Sequence, residues 1–163
     1  MLTGAMAASY YGTPRTTIDM DVMVKVSEKN VQSLLLEPLK KAEMLVNERK
    51  IRGAFKSGFN VITIKDKKTS FTLDIILSDK KLKKKPGTIA SLPTFYQTPE
   101  ELILSKLRMI KVTTPPERTL KDKNDIRAVL KHTKVNVKAI EKRAQRESTL
   151  IIFKELTRER ENS

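Results

Sequence analysis

A chain of 163 residues, 39% of them hydrophobic, is long enough for one domain or for a core with a helical appendage. It has no cysteine, which excludes disulfides, thiolate nucleophiles and cysteine-bound zinc, and its single histidine, His132, leaves no basis for a histidine-rich metal site. The formal charge of +14 is uneven: residues 1–79 hold 12 Lys and Arg against 9 Asp and Glu, while residues 80–163 hold 21 against 10. Such a bias favours a polyanionic partner, because lysines that neutralise phosphates release counterions. No apolar run could span a bilayer, and the first residues lack the charged-then-apolar order of a signal peptide, so the expected compartment is the cytoplasm.

In chain order, residues 1–3 read as the tail of a strand running into Gly4. Residues 5–11 read as a short helix closed by Gly12 and Pro14. Residues 17–26 read as a buried strand, with Asp19 and Asp21 on one face and Ile18, Met20, Val22 and Val24 on the other. Ser27 suits the cap of a helix to about residue 46, in which Val31, Leu34, Leu35 and Leu39 recur at helical spacing and Pro38 predicts a break near Leu36. A second short helix follows over 47–56. Two alternating runs, 59–65 and 71–78, are joined by the polar segment 66–70 and predict an antiparallel hairpin. Residues 79–87 read as a charged, proline-closed loop, and residues 88–92 as one more short strand.

Beyond Pro93 the character becomes helical. Thr98-Pro99-Glu100-Glu101 is a helix start, with a capping threonine, proline in the first turn and acids beside the dipole. Leu102, Ile103, Leu107 and Ile110 form its buried stripe. Leu120–Lys131 follows after the proline pair 115–116, with Ile126, Val129 and Leu130 inward; one or two basic helices lie past residue 135 and fray near 158–163. The expected class is α+β, a small mixed sheet flanked by helices and followed by a C-terminal helical region. The expected division is a core over 1–92 and a basic helical region over 93–163.

Asp74 stands mid-strand in Leu73-Asp74-Ile75-Ile76-Leu77, among residues expected to be buried, where an unpaired carboxylate costs several kcal/mol. Asp19, Asp21 and Asp74 on neighbouring strands would make an oxygen-rich cage suited to magnesium and to phosphoryl transfer. Gly4, between a strand end and a helix start, allows close backbone approach, and free amides there suit a phosphate.

The run TGAMAASYYGTPRTTIDMDVMV resembles the opening motif of the DNA polymerase β-like nucleotidyltransferases: a glycine after a strand, a helical spacer, then Asp-hydrophobic-Asp. Gly4 matches the glycine, Asp19 and Asp21 the acid pair, and Asp74 the third carboxylate of a later strand. Tyr11, Gly12, Pro14, Arg15 and Thr17, with TPEELILSKLRM and KDKNDIRAVL downstream, are similar to the small prokaryotic branches of minimal and abortive-infection (AbiEii-type) toxin nucleotidyltransferases.

The resemblance implies transfer of a nucleoside monophosphate from a nucleoside triphosphate to a hydroxyl acceptor. Asp19, Asp21 and Asp74 would hold two Mg2+ ions, with Mn2+ as a substitute. Gly4, Ala5, Arg15 and Lys106 would contact the nucleotide, supported by Thr17, Lys121, Asp122 and Asp125. The implied acceptor is RNA, a tRNA end first, or a protein hydroxyl, and a cognate toxin or antitoxin is an implied partner. For Lys106 the residues equally suit a snorkelling lysine, for Asp122 and Asp125 helix-start acids, and for Arg15 a turn residue paired with an acid.

Two departures stand beside the match. Ala5 occupies a position where the family has Ser or Gly. The family also places a helix and a full strand ahead of the glycine, which leads us to expect a gene start roughly twenty residues upstream, or a homodimer through the N-terminal edge. The alternative reading is a catalytically weak, antitoxin-like or regulatory binding module that keeps the fold; a nucleic-acid-binding module without catalysis is a third.

Overall fold

The computed structural model describes residues 1–57, 61–78 and 80–161. The fold is α+β and divides into two units, one of residues 1–6 and 16–96, the other of residues 7–15 and 97–163. The boundary passes through helix α1 (Gly4–Tyr11).

The first unit is organised by three strands, β1 (Asp19–Val24), β2 (Val61–Lys65) and β3 (Thr72–Leu77), in the order β1-β3-β2. β1 lies parallel to β3 and β2 antiparallel to it. Alternation along the strands turns Ile62, Ile64, Ile75 and Leu77 to one face, where they pack with Val31, Leu35, Leu36, Leu39 and Ile51 in a continuous core. β1 is shorter than the expected 17–26 and is not buried throughout. The Thr17 hydroxyl bonds both the amide (3.2 Å) and the carbonyl (3.0 Å) of Asp19, a local turn that delays the ladder, and Ile18 lies outside the strand and exposed.

The expected break at Pro38 is a change of helical pitch. Residues 32–36 form a π-helical turn, closed by the Glu37 amide on the Gln32 carbonyl, and α2 (Glu37–Lys41) follows with Pro38 in its first turn. Proline cannot donate to the carbonyl four residues back and its ring crowds it; a wider turn upstream removes that conflict. Asn47 caps α3 (Glu48–Ser57) through Lys50 N at 2.9 Å. The β2–β3 turn is held by Asp66, whose Oδ2 accepts from Lys68 N (3.1 Å), Thr69 N (2.8 Å) and Thr69 Oγ1 (2.8 Å). The Thr69 hydroxyl above all keeps this carboxyl below its ordinary pKa. Residues 59 and 60 of the expected first strand, and residue 79 of the expected loop, fall outside the described residues.

The largest correction concerns residues 84–97. They form a two-stranded ribbon, β4 (Lys84–Ile89) and β5 (Leu92–Gln97), where a loop, a short strand and a helical region were expected. Ala90 and Ser91 turn the chain at φ 47° and 65°, the paired left-handed geometry of a tight hairpin. Pro86 and Pro93 lie outside the stretch of the ribbon that Leu2 bridges, at positions where a two-stranded ribbon tolerates proline. Residues 1–3 run between β1 and β5: Leu2 bridges Val22 antiparallel and Tyr96 parallel, with Thr3 N on Asp21 O at 3.0 Å and Leu2 N on Phe95 O at 2.7 Å.

The second unit is helical, with α4 (Pro99–Val112), α5 (Leu120–His132), α6 (Val137–Arg146) and α7 (Leu150–Glu161). Leu102, Ile103, Leu107 and Ile110 are buried, as are Ile126, Val129 and Leu130 of α5, so the helical stripes are as expected. Thr98 begins α4 with extended backbone, though its side chain makes no capping bond. Among the described residues no helix is long and apolar enough to cross a membrane.

Two glycines, Gly53 in α3 and Gly12 just after α1, offer a test of this packing. A Cβ on Gly53 in α3 would meet nothing within 4 Å, whereas one on Gly12 would come within 2.9 Å of Ala128 Cβ. Gly53→Ala should therefore raise stability by about 1 kcal/mol in urea titration. Gly12→Ala should lower it by roughly 1–3 kcal/mol. Equal effects would contradict the placement of both glycines.

Candidate functional site

The acid face of the three-stranded sheet is fixed by register. Asp21 pairs with Asp74 and Asp19 with Thr72 across the parallel β1–β3 ladder, and Thr63 of β2 pairs with Asp74 on its other side. Register partners share a face, so Asp19, Asp21, Asp74, Thr63 and Thr72 stand together, opposite the apolar core. Neighbouring strands are about 4.8 Å apart, so Asp21 and Asp74 are side by side. Thr63 Oγ1 donates to Asp74 Oδ1 at 2.5 Å, and Thr72 Oγ1 donates to Asp19 Oδ1.

The expected burial of these acids is corrected: Asp19 is exposed, and Asp21 and Asp74 are only half-buried. The apolar neighbours of Asp74 in the chain point to the other side of the sheet, so its carboxyl does not share their burial. Among the described residues, no three His, Cys, Asp or Glu side chains are gathered so as to hold a metal ion.

Gly4 lies directly against this face. Its φ is +54°, and a Cβ there would fall 1.9 Å from Asp21 Oδ2 and 2.9 Å from Asp21 Cβ. Both the left-handed backbone and the missing side chain are thus required for Asp21 to occupy its position. Ala5 is buried, at 7% exposure, and Thr17 acts by fixing the backbone of Asp19.

The remaining expected residues belong to the second unit. Lys106 on α4 is buried with its Nζ 2.7 Å from Asp122 Oδ1 and 2.7 Å from Asp125 Oδ2. Arg15 grips the same Asp125 with two bonds, Nε to Oδ1 and Nη2 to Oδ2, each 3.1 Å. Two cations and two carboxylates therefore balance in a network that fastens residues 7–15 to α4 and α5. Lys106 does not snorkel to solvent, and its ammonium is held by acids. Lys121, the neighbour of Asp122, is exposed on α5.

Sequence reading missed Thr63, Thr72 and Ser9. Ser9 Oγ accepts from Arg15 N at 3.3 Å and so orients the loop that carries Arg15. A signal existed for Thr72, which lies two residues before Asp74 and hence on its face; Thr63 required knowledge of the hairpin register. No protein-family model matches the chain, and no curated protein matches it.

The two clusters should respond differently to substitution. Asp125→Asn leaves two cations without their shared carboxylate and should cost about 3 kcal/mol in urea titration. Asp122→Asn, at a more exposed carboxylate (28% against 8%), should cost clearly less. Gly4→Ala should lower stability by more than about 1 kcal/mol from its backbone conformation alone, and Gly4→Ala with Asp21→Ala should recover part of that loss. Two additive effects there would contradict the contact.

Proposed function

We propose that the chain is a metal-dependent nucleotidyltransferase that transfers a nucleoside monophosphate from a nucleoside triphosphate to a hydroxyl acceptor. The observation that carries this reading is the pairing of Asp21 with Asp74 on the sheet face opposite the apolar core, with Gly4 packed against Asp21. The motif resemblance supports the same assignment. The donor set is of the right chemistry, since three carboxylates offer only hard oxygen ligands of the kind magnesium takes while keeping waters and substrate phosphates. Asp19, Asp21 and Asp74 would hold the ions. When bound, such ions stabilise the charge that develops on the transferring phosphoryl group and on pyrophosphate.

The chain's own residues supply positioning. Gly4, by lacking a side chain, lets Asp21 hold its carboxylate against the backbone at the start of α1, and the resemblance assigns that glycine turn to the triphosphate. Asp74, oriented by the Thr63 hydroxyl, is the group assigned to accept the proton of the attacking hydroxyl. That oxygen bonds the α-phosphorus as the bond to the β-phosphate breaks, and pyrophosphate leaves. The resemblance assigns Arg15 and Lys106 to the nucleotide, and their charges are engaged at Asp125. RNA is the acceptor that best suits the basic composition, and the cytoplasm is the compartment that suits the chemistry.

Two observations favour the second reading, a binding module that retains the fold with little activity. The three carboxylates are not gathered for a metal, and Ala5 brings no hydroxyl. Calorimetry with each of the four nucleoside triphosphates separates the two. We expect binding that requires Mg2+ and weakens at least about tenfold in Asp21→Asn, with the circular dichroism spectrum retained; a tenfold change is about 1.4 kcal/mol. Equal binding by Asp19→Asn, Asp21→Asn and the parent would overturn the metal assignment. Failure of the parent to bind any triphosphate would favour the module.

A further inference from the structure

The β4–β5 ribbon carries chemistry that the proposed transfer does not use. Residues 80–97 contain five lysines (80, 81, 83, 84 and 85) and no acid, the densest single-sign stretch of the chain. All five are exposed. The ribbon is a built element: Tyr96 is buried, at 3% exposure, with its hydroxyl donating to Thr88 O at 2.9 Å, and the Phe95 carbonyl accepts from Leu2 N. Strand alternation then turns Phe95 outward, where it is 43% exposed. Lys84 Nζ stands 3.8 Å from the centroid of that ring.

An exposed Phe alone means nothing, since single apolar residues are common on surfaces. Its setting differs, because an aromatic face, an ammonium held against it and Lys85 lie on one acid-free hairpin, with Lys80, Lys81 and Lys83 in the segment that leads into it. Stacking platforms beside a basic track are how proteins hold single-stranded nucleic acid without reading its sequence. A duplex would hide its base faces from Phe95 and use the lysines only. An anionic membrane would use the charge but gives the ring no specific partner.

We propose that the β4–β5 ribbon binds single-stranded nucleic acid, with a base stacked on Phe95 and phosphates held by Lys84 and the lysines around it. As a docking surface for the acceptor this rests on the transferase reading, but the binding itself does not. It is therefore measured without triphosphate or magnesium, in the full chain and in Asp21→Asn alike.

The probe is a fluorescently labelled twelve-nucleotide oligouridylate followed by anisotropy, with the matching deoxyoligonucleotide, a duplex and vesicles containing phosphatidylserine as comparisons. We expect the single strands to bind more tightly than the duplex, and Asp21→Asn to bind as the parent does. Phe95→Leu should weaken binding about tenfold, within the range that stacking contributes per base. Lys84→Gln should reduce the slope of log affinity against log salt by about 0.7, one phosphate on a single strand. Unchanged affinity in Phe95→Leu, tighter binding of the duplex, or preference for the vesicles would each overturn the proposal. Loss of triphosphate binding with the ribbon's affinity intact would instead overturn the transferase reading alone.

Discussion

The parallel register of β1 on β3 is the constraint from which the first unit follows. Setting Asp21 opposite Asp74 sets Val22 opposite Ile75 and Val24 opposite Leu77, so a single alignment gives both the acid face and the apolar face. A slip of one residue would turn the acids into the core with Val31, Leu35 and Leu36, at a desolvation cost of several kcal/mol for each carboxylate. The acid face therefore acts as a register lock as well as a candidate site. Thr63 and Thr72 reinforce it, each giving a hydroxyl to a carboxylate on the neighbouring strand. Gly4 adds the last condition, since only a residue without Cβ leaves Asp21 its place.

Charge is handled differently in the two units. In the helical unit Lys106, Arg15, Asp122 and Asp125 neutralise one another around a buried carboxylate. Such a network contributes little net stability over an apolar replacement but is costly to leave half-made, so it fixes where α4, α5 and the Arg15 loop meet. Arg143 is held likewise between α6 and α4 by the Glu101 carboxylate, which raises its pKa. On the acid face and along residues 80–85, by contrast, charges of one sign gather side by side. Like charges held together by a fold suit a partner of opposite charge better than they suit stability.

How far the sequence revealed this depended on the kind of signal. The alternation of 61–65 and 72–77 and the helical stripes of α4 and α5 were legible because one face of each element is buried, and burial writes a period. The ribbon was not, because β4 is exposed along most of its length and begins in lysines, and a solvated strand has no apolar period to read. Its turn was equally silent: Ala90 and Ser91 take left-handed backbone without the Asn or Gly that normally announces it. Asp74 lies on the expected strand but is only half-buried, because its neighbours in sequence, Leu73 and Ile75, point to the other face of the sheet. Lys106 shows the opposite limit. Its position on a helix was evident, but the two acids that engage it come from α5, twenty residues away or less and yet invisible to local pattern.

The central claim is that the face shared by Asp19, Asp21 and Asp74 is where a divalent ion and a triphosphate meet. Paramagnetic broadening of backbone amide signals by substoichiometric Mn2+ tests it directly, because broadening reports distance from the ion and needs no knowledge of the acceptor. The account predicts that the amides of Gly4, Asp21 and Asp74 broaden first, that added triphosphate sharpens this selectivity, and that Asp21→Asn abolishes it. Broadening centred on acids elsewhere, such as Glu100 and Glu101, or spread evenly over the surface, would contradict it.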